Sequence, residues 1–211
     1  MLHTINNRFL AFAKFALTLF AALVLSTAAQ ASTATLQNMQ TAFNGESNAH
    51  ARYLAFALQA DTEGYGQVAS LFRAAARAEE IHAANHAAVI QKMGAVPQAK
   101  VLAPEVKTTR ENLQAAIKGE TYERDTMYPD FLKQARIDRN RDAIKSLNYA
   151  KAAEAEHAKL YTEALASLDR LKGSKSMTFY VCPKCGYTTN NANLAKCPTC
   201  FTPKEKFERV A

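Results

Sequence analysis

Between about residues 33 and 171 the apolar positions recur in alternating steps of three and four, the spacing of helices that each bury one face. The first such seam runs Leu36, Met39, Phe43, Glu46, His50, Tyr53, Ala57 and Ala60, and the second Val68, Phe72, Ala75, Glu79, His82, His86, Val89 and Met93. The third runs Leu113, Ile117, Glu120, Glu123, Met127 and Phe131, and the fourth Ile144, Leu147, Lys151, Glu154, His157, Tyr161, Leu165 and Leu168. Gly64-Tyr65-Gly66 reads as a tight turn, 94–104 as a long break, 138–140 as a short one and 172–175 as a linker. The pattern predicts helices near 33–62, 66–93, 109–137 and 141–171. Short first and third connections make antiparallel neighbours, and the long middle one crosses the bundle. Thr108 and Glu111 have the spacing of a capping box at the start of the third helix, and Pro129 is expected to kink it. Every seam is apolar at its ends and acidic at its middle.

That acidic middle is the informative feature. Glu46, Glu79, Glu120, Glu123 and Glu154 would face one interior beside His82 and His157. Five carboxylates in a dry core are intolerable as free anions, because desolvating each costs several kcal/mol or more. Two divalent cations would offset most of that charge, and oxygen plus imidazole ligands suit iron or manganese. The chain also repeats itself. Gly45-Glu46-Ser47 resembles Gly119-Glu120-Thr121, and the Glu79–His82 motif resembles that at Glu154–His157. The two glutamates are 33 residues apart in the first half and 34 in the second, so a pseudo-twofold bundle would bring the acidic centres together. One Glu-x-x-His alone is usually solvated surface; two of them with matching partners point to a di-metal site.

Composition adds a leader and a tail. Arg8 and Lys14 precede the apolar run 15–25, and Ala29-Gln30-Ala31 has the pattern of a cleavage site, so 1–31 is expected to be an export signal of the general route. The run is short for a membrane span of roughly 20 residues, so no stable span is expected after cleavage; an uncleaved anchor or a cytoplasmic protein is the alternative. Removing the signal lowers the net charge from +7 to +5, and no basic cluster is interleaved with aromatics, which argues against nucleic acid. The four cysteines form two C-x-x-C pairs, Cys182/Cys185 and Cys197/Cys200, the spacing of a tetrahedral thiolate metal site rather than of disulfides. The expected organisation is a signal at 1–31, a bundle over 32–172 and a small metal domain over 177–211.

Together these motifs resemble the rubrerythrin family across nearly all of the chain after the signal. They are Gly45-Glu46-Ser47 with Arg52-Tyr53, Glu79-x-x-His82, Gly119-Glu120-x-x-Glu123 before Met127-Tyr128-Pro129, Glu154-x-x-His157 and the paired cysteine knuckles. The resemblance implies a mainly α, ferritin-like four-helix bundle with one long crossover and a C-terminal rubredoxin-like domain. It implies a di-iron centre held by Glu46, Glu79, His82, Glu120, Glu123, Glu154 and His157, with Glu123 and His82 exchanging as ligands of one iron. Tyr53 and Tyr128 are placed either to pack around the site or to hydrogen-bond its carboxylates, and His50 and His86 are given no ligand role. Cys182, Cys185, Cys197 and Cys200 would hold a single iron, zinc being the alternative that Phe201 after the second knuckle brings closer. The implied function is a peroxidase that reduces hydrogen peroxide to water in oxidative stress defence. Electrons would pass from an unidentified donor through the tail, which serves a partner subunit in a head-to-tail homodimer. The alternatives are a ferroxidase or iron-handling protein, a metal-binding or electron-carrier protein without peroxide turnover, and a DNA- or partner-binding zinc ribbon on a helical scaffold.

Overall fold

The computed structural model describes residues 8–211, with side chains from residue 33 on; the expected export signal, 1–31, lies outside the residues described in full. Helices α1 (Arg8–Thr62), α2 (Gly66–Lys92), α3 (Thr109–Tyr122), α4 (Tyr128–Ile137) and α5 (Arg141–Ala166) build a ferritin-like four-helix bundle, α3 and α4 together forming its third rod. No helix among the described residues is long and apolar enough to cross a membrane.

Local chemistry sets the helix ends. At the end of α1, Gly64 adopts φ 76°, and the N–H groups of Gly64 and Tyr65 return to the carbonyls of Asp61 and Ala60 at 2.9 and 2.8 Å. That is a Schellman closure, and Gly94 repeats it after α2. Thr108 and Glu111 form the predicted capping box, each side chain accepting from the other's backbone N–H. The connection over 93–108 has no helix or strand and carries the chain across the bundle.

The third rod is not one kinked helix. A π-helical turn, Glu123–Met127, separates α3 from α4, and the Tyr128 N–H donates to the Glu123 carbonyl five residues back. Pro129 is the physical cause: it has no N–H to offer and its ring crowds the carbonyl four residues earlier, so the ladder widens by one residue.

Two apolar clusters sandwich the acidic layer. Tyr53, Phe56, Phe72, Leu113 and Tyr161 lie on one side, and Met39, Ile90, Leu132 and Leu147 on the other. The tail contributes a small antiparallel sheet ordered β2 (Thr188–Thr189), β1 (Phe179–Val181), β3 (Glu208–Val210). Phe179 and Val181 are buried in the same cluster as the bundle residues. The 172–176 stretch is packed, too: Gly66 has no side chain because the Ser174 carbonyl lies 2.5 Å from where its Cβ would be. The tail thus packs on the bundle of its own chain. Arg77 joins Glu208 through two hydrogen bonds of 2.6 and 2.9 Å.

Candidate metal centre

Glu46 comes from α1, Glu79 and His82 from α2, Glu120 from α3, and Glu154 and His157 from α5. All six are buried, none more than 1 % exposed. They form two overlapping groups, Glu46/Glu79/His82/Glu154 and Glu79/Glu120/Glu154/His157, whose ligand atoms lie within 4.8 Å of one another. Glu79 and Glu154 belong to both groups and would be shared by two cations, with Glu46 and His82 completing one group and Glu120 and His157 the other.

Both histidines turn Nδ1 inward. His82 Nδ1 is 2.7 Å from Glu79 Oε2 and 3.2 Å from Glu154 Oε1; His157 Nδ1 is 3.2 Å from Glu79 Oε1 and 3.1 Å from Glu154 Oε2. The outward nitrogens meet the tail: His82 Nε2 donates to the Cys185 carbonyl and His157 Nε2 to Thr188 Oγ1, each at 3.1 Å. These bonds fix the tautomer that leaves Nδ1 free for a cation. Gly186 (φ 74°) permits the approach, since a Cβ there would lie 2.2 Å from His82 Nε2. Cys185 and Thr188 as orienting groups could not be read from the sequence, because nothing local links them to histidines 103 and 31 positions away.

Tyr53 on α1 donates to Glu120, and Tyr128 on α4 donates to Glu46. Each half of the repeat thus holds the other half's terminal carboxylate. Tyr53 follows Glu46 by seven residues and Tyr128 follows Glu120 by eight; the extra residue is the one that the π turn absorbs. Glu123, at the start of that turn, is partly buried and belongs to neither group. His50 binds the Ala76 carbonyl at 2.8 Å and ties α1 to α2. His86 sits between Ser146 and Tyr128.

The electrostatics are those of a cation site. Burial, then Glu79 and Glu154, raises Glu46 well above the usual carboxylate range, and burial with Glu79 lifts Glu120 to about 8. Burial and then Glu46 also raise Glu123. Burial alone would depress both histidines, yet Glu154 and Glu79 hold His82, and Glu79 above all holds His157, well above the imidazole range. Burial works against Glu79 as well, but His157 and His82 outweigh it and hold its carboxyl at about 2. Buried oxygens on Glu46, Glu79, Glu120 and Glu154, together with His157 Nδ1, have no hydrogen-bond partner. Such orphans are costly unless something else binds them, and their aim toward one centre fits two cations.

The four cysteines are free thiols brought within one ligand sphere. Cys182 Sγ lies 3.4 Å from Cys200 Sγ and Cys185 Sγ 3.4 Å from Cys197 Sγ, separations far beyond a disulfide bond of about 2 Å. Two knuckles of this kind supply a tetrahedral thiolate site. The residues after the second cysteine of each knuckle, Gly186 (φ 74°) and Phe201 (φ 60°), both take the left-handed conformation.

A ferritin-like bundle with paired Glu-x-x-His motifs at its centre and a four-thiolate knot docked beside them defines a class of two-centre metalloproteins. The comparisons narrow it. The family model for rubrerythrin matches residues 37–165, and the chain belongs to that family. Nigerythrin of Nitratidesulfovibrio vulgaris is 39% identical over 174 residues, which covers 82% of this chain and 85% of that protein. Rubrerythrin-2 of Clostridium acetobutylicum is 38% identical, covering 81% and 93%. The structure of fully reduced, all-ferrous nigerythrin superposes with a TM-score of 0.77 at 38% identity, covering 83% of this chain and 86% of that one. A Desulfovibrio desulfuricans bacterioferritin, 19% identical with a TM-score of 0.62 over 70% of this chain and 91% of that one, shares the fold.

Proposed function

We propose that this protein is a non-haem di-iron peroxidase that reduces hydrogen peroxide to water, with electrons relayed through the tail. The observation that carries the reading is the pair of ligand groups sharing Glu79 and Glu154, which fits two adjacent cations. Family membership and the all-ferrous state of the nigerythrin structure support iron as the metal. When bound, two irons supply two electrons and a Lewis-acidic face for peroxide. Glu46 with His82 would hold one and Glu120 with His157 the other. Tyr53 and Tyr128 keep the terminal carboxylates aimed inward, and Glu123 is the spare carboxylate beside the end that His82 caps. The flanking apolar clusters exclude water. The Cys185 carbonyl meets His82 Nε2, so the four-cysteine knot lies beside the bundle centre, and a metal held there, proposed as iron, would pass its electrons to that centre.

The test is an anaerobic titration of the iron-loaded, dithionite-reduced protein with peroxide. One equivalent should oxidise the bundle irons, and the bleached thiolate colour of the tail should then return. Oxidation by oxygen alone, with many irons accumulating per chain, would instead support iron storage; zinc in the tail would break the relay. Export and homodimerisation belong to the same proposal. They are checked by N-terminal sequencing of the periplasmic protein, which should begin after Ala31, and by light scattering.

A further inference from the structure

Peroxide reduction takes up protons as well as electrons: H2O2 + 2e− + 2H+ gives two waters. The metal centre is sealed between apolar clusters, so a proton needs a path. One side of the site provides it. Tyr128 donates to Glu46, and Glu46 must be ionised to act as a ligand, so the Tyr128 oxygen can receive a hydrogen bond only as an acceptor. His86 Nε2 lies 3.2 Å from that oxygen and therefore carries its proton there. His86 Nδ1 is consequently the acceptor, and Ser146 Oγ, 2.8 Å away, is its donor. Glu46 itself is 3.9 Å from His86, too far for a direct hydrogen bond. Ser146 is 5% exposed and lines a surface cavity of about 160 Å3, bordered by Lys92, Asp142, Lys145 and Lys184.

We propose that Ser146, His86 and Tyr128 form a proton-delivery chain from this cavity to Glu46 at the metal centre. The inference rests on the peroxidase reading. Every donor in the chain points the same way, toward the metals. In one passage Ser146 gives its proton to His86 Nδ1, the Nε2 proton moves to the Tyr128 oxygen, and the Tyr128 proton moves to Glu46 Oε1, from which it leaves with the product water so that Glu46 returns to its ionised form. A proton taken up from the cavity water restores the Ser146 hydroxyl, so one of the two protons enters and arrives with no residue between left charged; His86 is then the Nδ1–H tautomer and must return to Nε2–H before a second passage.

The other half of the repeat lacks such a route. His86 follows His82 by four residues, and the residue four after His157 is Tyr161. Its ring packs 5.6 Å from Tyr53, but its hydroxyl is buried with no hydrogen-bond partner. Of the two tyrosines that hold terminal carboxylates, only Tyr128 connects to the surface through this kind of chain.

Two measurements decide it. In the zinc-loaded, diamagnetic protein, nitrogen-detected NMR should show His86 as the Nε2–H tautomer; the Nδ1–H tautomer would overturn the chain whatever the enzyme turns over. In the iron-loaded, reduced protein, Ser146→Val should slow oxidation by peroxide about a hundredfold or more, the low side of what a positioned proton donor contributes. Ser146→Thr, which keeps the hydroxyl, should react at close to the wild-type rate, with two bundle irons retained in both variants. Equal slowing in both variants would assign the effect to packing, and an unaltered rate in Ser146→Val would leave the chain without a role. Either result overturns the proposal. If the wild-type protein consumes no peroxide, the peroxidase reading fails, while the His86 tautomer still decides how the chain is oriented.

Discussion

At the scale of single residues, the site behaves as a balance between burial and charge. Shared and terminal carboxylates should differ in what their loss removes. Glu154→Ala takes a ligand from both cation positions and should leave fewer than one bundle metal per chain, whereas Glu46→Ala should retain one; metal analysis after dialysis separates them. The metal-free protein should respond to pH with a definite sign. Glu120 titrates at about 8 when folded against an ordinary value of 4.5, so between those values the native state binds the proton that the unfolded chain releases. Its contribution is complete below 4.5 and is lost as the pH rises through about 8. The raised histidines act in the same direction. Metal-free protein should therefore melt at a lower temperature at pH 8.5 than at pH 5.5. Metal must displace these protons, so the metal-loaded protein should show the opposite trend as affinity rises with pH. A flat melting profile without metal would show that these groups are not buried as found.

At the scale of elements, the π turn is the feature with most consequence. Five residues overshoot one α-helical turn by about 140°, so in a regular helix Tyr128 would not share a face with Glu123. Widening the turn brings Tyr128 round to Glu46. Its cause, Pro129, and its trace, a spacing of eight where the first half has seven, are both written in the sequence; the choice of a π turn over a kink was not, because either would accommodate the missing N–H. Left-handed residues offer a second test. Arg139 closes α4 at φ 55°, with the Asn140 N–H returning to the Ala135 carbonyl at 2.9 Å. Replacing Arg139 by glycine removes a strain of about 1–2 kcal/mol and adds back part of it as chain entropy, for a net gain of about 0.5–1 kcal/mol by denaturant melts. Gly186→Ala should do the reverse. It forces both a left-handed alanine and a clash with His82, and should cost at least about 2 kcal/mol in the metal-loaded protein.

At the scale of the whole molecule, bundle and tail are one packed unit. Both histidines of the candidate centre hydrogen-bond to tail residues, so removing 172–211 should weaken bundle metal binding about 10–100-fold, even though no candidate bundle ligand is lost. A competition titration against a chelator measures this directly, and unchanged affinity would show that the bundle orients its histidines unaided. Removing the tail would also expose Val68 and Leu71 on α2, which share a buried cluster with Phe179 and Val181.

The sequence by itself determined the four rods, their caps, the acidic layer and the pairing of its two halves. These follow from local propensities and from periodicities of three and four, which each segment carries alone. It also determined which side chains could ligate, since ligand chemistry is a property of residue type and spacing. Only the tertiary structure decided which glutamates both groups share, that each tyrosine crosses to the opposite half, that Glu123 belongs to neither group, and that His86 bridges Ser146 to Tyr128. Those outcomes depend on how helices distant in sequence settle against one another to within an ångström. The docking of the tail on its own bundle is the plainest case: it turns on a glycine's missing Cβ and a carbonyl a hundred residues from the histidine it meets.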